Sequence, residues 1–261
     1  MAVRQRPERE ARGQHFLRSR RLAADLVREA GVGRGQRAID IGAGTGVLTS
    51  ALLDAGAAVT ALELDPVLAA ELRRRFAGRD VTVVETDARC WRWPREAFSV
   101  VSNLPFTGAG AVLDSLLQNP FNGLRQADVI VQWKFAQKHA AVWPATLRGA
   151  YWRAWFDLGI VTRLSRAAFS PVPSVDAAVL RLVRRREPFV PAEAHERYRR
   201  FLTKAFGSRA PLRSALRGKV TPRELRRLAP VLGFDASAYP RDLDARQWAG
   251  VFAFASRSLD D

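Results

Sequence analysis

Ala38-Ile39-Asp40-Ile41-Gly42-Ala43-Gly44-Thr45-Gly46 is an apolar run that breaks into glycine at alternate positions. Its composition predicts a strand, then a tight turn, then the helical period of the residues that follow. In an open α/β sheet this junction is where ligands bind. Glycine lets the backbone turn tightly and approach a ligand more closely than a Cβ permits. A dinucleotide fingerprint wants its third glycine where Val47 stands, so the spacing favours G-x-G-x-G over G-x-G-x-x-G. Asp40 adds a negative charge beside the turn, which suits a ligand bearing a sulfonium and an ammonium better than one bearing a pyrophosphate. The ligand expected on these grounds is S-adenosylmethionine.

Outward from this loop, apolar runs at 37–41, 58–62, 81–85, 98–102 and 128–131 read as strands. Helix candidates at 45–55, 65–76, 110–117 and 134–141 lie between or after them. That alternation predicts a doubly wound α/β domain with a mostly parallel sheet covered on both faces. Two further strand-like runs, 155–162 and 177–183, have no obvious helix between them and suit an antiparallel edge. After Arg184, Arg185 and Arg186, Pro188 and Pro191 punctuate the chain and only helical periodicity follows. The expected organisation is a basic arm at 1–12, a cofactor-binding catalytic domain at 13–185 and a small all-helical domain at 186–261. In the first helix of that last region, Tyr198, Phe201, Leu202, Ala205 and Phe206 recur at the spacing of one buried face.

Glu63 ends the second strand, where a carboxylate can accept hydrogen bonds from ribose hydroxyls. Asp87 follows the third strand and can accept from the amino group of an adenine. Asn103-Leu104-Pro105-Phe106 follows the fourth. The exocyclic amine of a nucleobase is a poor nucleophile because its lone pair is delocalised into the ring. A catalyst must therefore hold it still and accept its N–H groups. The side-chain oxygen of Asn103 and the carbonyl of Leu104 can do so, Pro105 stiffens the loop, and Phe106 offers a face for an extruded base. Catalysis then consists mainly of aligning the amine with the methyl carbon.

The formal net charge is +16, from 42 basic and 26 acidic side chains, and it indicates a polyanionic partner. Only four of those basic residues are lysine, which reads as codon bias, but that bias does not account for the excess over acid. Between Arg197 and Lys219 there is no acidic residue, and Arg199, Arg200, Lys204, Arg209, Arg213, Arg217 and Lys219 are candidates for phosphate contact. The tryptophans, among them Trp143, Trp152 and Trp155, read as packing residues. Cys90 has no internal disulfide partner, and the histidines are too dispersed to suggest a zinc site. No membrane span or secretory leader is indicated, so a cytoplasmic protein is expected.

With these residues in hand, the chain resembles the ribosomal RNA adenine N6-methyltransferases, the group of the erythromycin-resistance (Erm) enzymes and the kasugamycin-sensitivity dimethyladenosine transferases. Gly13-Gln14-His15-Phe16-Leu17 is similar to that family's cofactor-covering motif, and Phe169-Ser170-Pro171-Val172-Pro173-Ser174-Val175-Asp176 to its segment before the last strand. The resemblance implies a Rossmann-like S-adenosylmethionine-dependent methyltransferase domain. It implies cofactor contacts from Gln14, His15, Leu17, Gly42, Gly44, Glu63, Asp87, Ala88 and Asn103, with the acceptor at Asn103 to Phe106. It also implies that the C-terminal helices help to grip RNA. The family usually has Asn where His15 stands, so only a backbone contact carries over there. The small-subunit enzymes usually have Tyr where Phe106 stands and the Erm group often has Phe. The expectation is therefore an enzyme methylating one adenine of 23S ribosomal RNA as a monomer, before full subunit assembly. Macrolide, lincosamide and streptogramin B resistance would be the outcome. The alternatives are the 16S dimethyltransferase, a DNA adenine methyltransferase, and a nucleic-acid-binding descendant without catalysis.

Overall fold

The computed structural model describes residues 15–143 and 145–257. The expected basic arm, Gly13 and Gln14 fall outside them. The first elements are β1 (Phe16–Leu17), α1 (Arg20–Glu29), β2 (Arg37–Ile41), α2 (Val47–Asp54), β3 (Ala58–Glu63), α3 (Pro66–Arg75), β4 (Val81–Glu85), β5 (Phe98–Asn103) and α4 (Ala109–Leu117). There follow β6 (Leu124–Gln132), α5 (Trp133–Ala140), α6 (Leu147–Trp152), β7 (Phe156–Leu164), β8 (Phe169–Ser170) and β9 (Ala177–Arg184). The remaining helices are α7 (His195–Gly207), α8 (Leu212–Ala215), α9 (Pro222–Leu232) and α10 (Ala245–Arg257).

The sheet runs in the order β4-β3-β2-β5-β6-β9-β7. From β4 through β6 the pairs are parallel, and β9 is antiparallel to β6. Chain order proceeds from β2 outward to β4, then returns to the other side of β2 with β5. The direction of winding therefore switches between β2 and β5, and the crevice beyond their carboxyl ends is the expected ligand site. Parallel pairing of these two strands sets Ala38 opposite Ser99 and Ile39 opposite Val100. Beyond it, the Ile41 N–H donates to Ser102 Oγ at 2.7 Å, so a buried hydroxyl satisfies the amide where the crevice opens.

Local chemistry fixes the helix starts. Ser19 accepts from the Leu22 N–H at the start of α1, a helix missing from the sequence expectations although Leu22, Ala23, Leu26 and Val27 carry its apolar stripe. Asp65 accepts from the Val67 N–H, with Pro66 at the first position of α3. The core under the glycine loop is built from β2, β3, α1 and α2, including Ala23, Leu48, Leu52, Val59 and Ala61.

By their contacts the residues form two compact units. One runs to Lys138 and resumes at Leu158–Val183; the other joins His139–Asp157 to the chain from Arg184 onward. Sequence pattern assigns 139–157 to the sheet domain, whereas the contacts place it with the C-terminal helices. The reason is aromatic packing: Tyr198 of α7 is fully buried, with ring centroids 6.2 Å from Tyr151 and 5.9 Å from Trp155. Leu202 and Ala205 are fully buried on the same face of α7, and Phe201 and Phe206 are half-buried. Trp152 and Trp155 are buried as expected, but Trp143 is largely exposed.

Candidate active site

Four strand ends of the first unit converge on a cavity of about 520 Å³. Gly42 and Gly44 come from the loop after β2, Glu63 from the end of β3, Asp87 and Ala88 from beyond β4, and Asn103, Leu104 and Pro105 from the end of β5. His15 reaches it from the residue before β1. Register explains the meeting: Ile41 lies opposite Leu62 and Glu63 opposite Glu85, so the parallel strands end side by side.

Gly42, Gly44 and Gly46 have φ values of 66°, 55° and 75°, the left-handed region that disfavours a side chain. A Cβ on Gly44 would stand 2.6 Å from the ring of Phe16, and one on Gly46 2.7 Å from Leu72 and Phe76. The loop is thus held against α3 on one side and covered by β1 on the other.

Glu63 is almost fully buried and is the organising acid of the site. One oxygen accepts the Gly44 N–H at 2.7 Å; the other accepts the N–H groups of Leu64 and Asp65 at 2.9 Å each. Asp40 behaves otherwise than the sequence suggests. It lies under the loop rather than lining the cavity, only 1% exposed, and its carboxylate accepts from Thr49 Oγ1 at 2.7 Å. Burial pushes its carboxyl up to about 7 and the charge of Glu63 adds to the rise, against the opposing hydrogen bonds from Thr49. Bonded to Thr49 and outside the cavity lining, Asp40 ties β2 to α2 beneath the loop and does not face the space where a sulfonium would lie. Asp87 is held below the usual carboxylate range by Arg89, whose guanidinium Nε lies 3.0 and 2.9 Å from its two oxygens.

Asn103 carries the most informative geometry. Its Nδ2 donates to the His15 carbonyl at 2.6 Å, and its Oδ1 is buried with no hydrogen-bond partner among the described residues. Exchanging the amide's nitrogen and oxygen would set two acceptors against each other, so the carbonyl partner fixes the orientation. A buried acceptor without a partner at a cavity wall can accept a hydrogen bond from a donor that enters the cavity. His15 is fixed in turn by a 2.9 Å contact between its Nδ1 and the Pro171 carbonyl, and β1 pairs antiparallel with β8.

Leu17, expected at the cofactor, does not line the cavity; its side chain is buried in the core, because alternation along β1 turns Phe16 outward and Leu17 inward. Phe106 also lies outside the lining. Its half-buried ring packs between His15, 5.1 Å away, and Phe169, 5.8 Å away. The lining adds residues that the sequence did not single out, including Phe16, Leu64, Arg89, Thr107 and Val112. Phe16 was legible within its motif and Leu64 by its place beside Glu63; Val112 depends on which face α4 turns inward.

The candidate phosphate-contacting residues Arg199, Arg200, Lys204, Arg209, Arg213, Arg217 and Lys219 are all exposed in the second unit. Cys90 is an exposed free thiol, and no metal-binding cluster occurs among the described residues. Nor is any helix among them long and apolar enough to cross a membrane.

A sequence profile described as Ribosomal RNA adenine dimethylase matches residues 6–243. The chain is 30% identical over 242 residues to an rRNA adenine N-6-methyltransferase of Bacillus licheniformis, covering 92% of this chain and 84% of that protein. It is 33% identical over 245 residues to the mycinamicin-resistance protein MyrB of Micromonospora griseorubida, covering 92% and 76%. Ribosomal RNA small subunit methyltransferase A of Nocardia farcinica is 35% identical over 259 residues, covering 93% and 88%. Among solved structures, the 23S rRNA methyltransferase ErmE superposes with a TM-score of 0.77 at 28% identity, over 92% of this chain and 99% of that one.

Proposed function

The chain belongs to the ribosomal RNA adenine dimethylase family, an S-adenosylmethionine-dependent rRNA adenine N6-methyltransferase, and we propose that its substrate is one adenine of 23S ribosomal RNA. The observation that carries the amine chemistry is the unsatisfied Oδ1 of Asn103 at the cavity wall.

The residues present fit the cofactor. The glycine loop, held at positive φ and packed without side chains against Phe16, brings Gly42 and Gly44 to the cavity wall, and Glu63 and Asp87 supply carboxylates at successive strand ends. In this reading Gly42, Gly44, Glu63, Asp87, Ala88 and His15 hold S-adenosylmethionine, with Gln14 beside them in sequence. When bound, that cofactor supplies an electrophilic methyl group on a sulfonium. Asn103 Oδ1 and the Leu104 carbonyl accept the N–H groups of the adenine amine and orient its lone pair. Pro105 limits the loop's freedom, and the Phe106 ring, packed between His15 and Phe169, anchors the loop from outside the cavity lining, so stacking on an extruded base would require it to turn. No strong general base is required: forming the N–C bond would break the S–C bond to leave S-adenosylhomocysteine, and the nitrogen, made cationic and strongly acidic by that bond, would lose its proton to solvent. Glu63 is committed to structure, its two oxygens accepting three backbone amides and keeping capacity for a further hydrogen bond from the cofactor.

The 23S assignment rests on Phe106 and on the likeness to the 23S rRNA methyltransferase ErmE, and the likeness to the mycinamicin-resistance protein MyrB supports drug resistance as its consequence, expected to extend to macrolides, lincosamides and streptogramin B. The setting is the cytoplasm, with a monomer acting before subunit assembly is complete. A second reading, the small-subunit enzyme, is favoured by the 35% identity to the Nocardia protein. Purified enzyme with labelled cofactor, offered naked 23S and 16S RNA separately, decides between them. Label in 23S, at a single adenine by mass spectrometry, is expected; label confined to 16S overturns the assignment.

A further inference from the structure

The second unit carries its own cavity of about 320 Å³, away from the catalytic residues in sequence and confined to α7, α10 and Lys219. Arg197, Arg200 and Lys204 line it at helical spacing along α7, and Lys219 joins them from the turn after α8. Its floor is aromatic: Phe201 and Phe252 lie with ring centroids 5.5 Å apart, and Trp248 supports Phe201 at 6.0 Å.

Like charges three and four residues apart on one helix face repel, so α7 would be more stable without this row. No acidic side chain lines the cavity, and none of the four cations makes a side-chain hydrogen bond or ion pair among the described residues. The charges converge on a concave surface rather than dispersing over the helix. A ligand that fits must be anionic at the rim and flat and apolar at the floor. A nucleotide meets both requirements, its phosphate against the cations and its base on the Phe201 ring.

We propose that this cavity is a second RNA site that takes one unpaired nucleotide, separate from the adenine that is methylated. The proposal rests on RNA being the substrate and sharpens how it is held. It divides the basic run: Arg197, Arg200, Lys204 and Lys219 form the site, whereas Arg199, Arg209, Arg213 and Arg217 stand outside it.

The test measures binding of a fluorescent, unstructured 12-nucleotide RNA and of an RNA duplex of equal length to the full chain, across a salt series. Arg200→Ala with Lys204→Ala should weaken single-strand binding about tenfold and reduce the log–log salt slope by about 1.4, at roughly 0.7 for each phosphate no longer neutralised. Phe201→Leu should weaken the single strand by about tenfold with the slope and the duplex affinity nearly unchanged, as expected for lost stacking. Arg226→Ala with Arg227→Ala, an exposed pair on α9 of equal charge, should change binding much less. Equal losses in the two double variants, or an unchanged Phe201→Leu, overturn the proposal in favour of a diffuse field or a phosphate-only patch. Binding of the probes needs neither cofactor nor turnover. Failure here therefore leaves methyl transfer to ribosomal RNA standing, and absence of transfer by the unaltered enzyme leaves this measurement readable.

Discussion

The Asn103 amide divides its roles: its nitrogen ties β5 to the backbone of His15, and its oxygen has no hydrogen-bond partner among the described residues, which is the basis for proposing that it takes the substrate amine. Removing the side chain should cost orientation more than cofactor affinity. Asn103→Ala is expected to lower kcat on RNA by on the order of 100-fold, with the cofactor Kd changing only a few-fold, measured by single-turnover methylation and calorimetry. Full activity in that variant refutes the role. Asp40 gives a different prediction. Its folded pKa of about 7 lies above the ordinary value of 3.8, so the fold binds a proton that the unfolded chain releases within that window. Its contribution favours the fold at acid pH and is lost as pH rises toward 7, on the order of 4 kcal/mol in full. Denaturant unfolding of wild type and Asp40→Asn from pH 4 to 8 should show the variant gaining on wild type as pH rises. A difference that stays constant with pH removes Asp40 as the cause.

At the scale of elements, the glycine loop and its cover act as one device. Gly44→Ala must hold a side chain at φ 55° and displace the Phe16 ring. It should lower stability by about 1–2 kcal/mol and weaken cofactor binding more than it weakens RNA binding. Urea unfolding and cofactor titration check both parts. On the far side of the sheet, β6 and β9 are joined by Arg181, whose Nε lies 2.7 Å and Nη2 2.8 Å from the two oxygens of the buried Asp128. The two residues are register partners, so strand pairing and ion pairing reinforce each other. Arg181→Ala leaves a buried carboxylate without its partner and should cost about 3 kcal/mol, read as a lowered urea midpoint at neutral pH. Most of these strands were legible from their apolar runs: 37–41 and 81–85 coincide with β2 and β4. The short elements were not. β1 and β8 have two residues each and exist because they pair with each other across the chain, not because of local composition.

For the molecule as a whole, a net charge of +16 makes association with RNA strongly dependent on salt. If about four phosphates are neutralised at roughly 0.7 each, affinity should fall on the order of 50-fold between 50 and 200 mM monovalent salt. Affinity independent of salt would exclude the basic surface from binding. The chain by itself determined the class of sheet, the glycine loop, the carboxylates at strand ends and the Asn-Leu-Pro-Phe tetrad, because each is a local pattern of spacing and residue type. Only the tertiary structure decided that His15, Gly44, Asn103 and Phe169 belong to one neighbourhood, that 139–157 packs with the C-terminal helices, and which four of the basic residues share a cavity. It also decided that Asp40 is buried beneath the loop against Thr49 and that Phe16, not Leu17, lines the cavity. Exclusion of water and contact between distant segments arise from packing, and no local spacing encodes which side chains the fold will bury together.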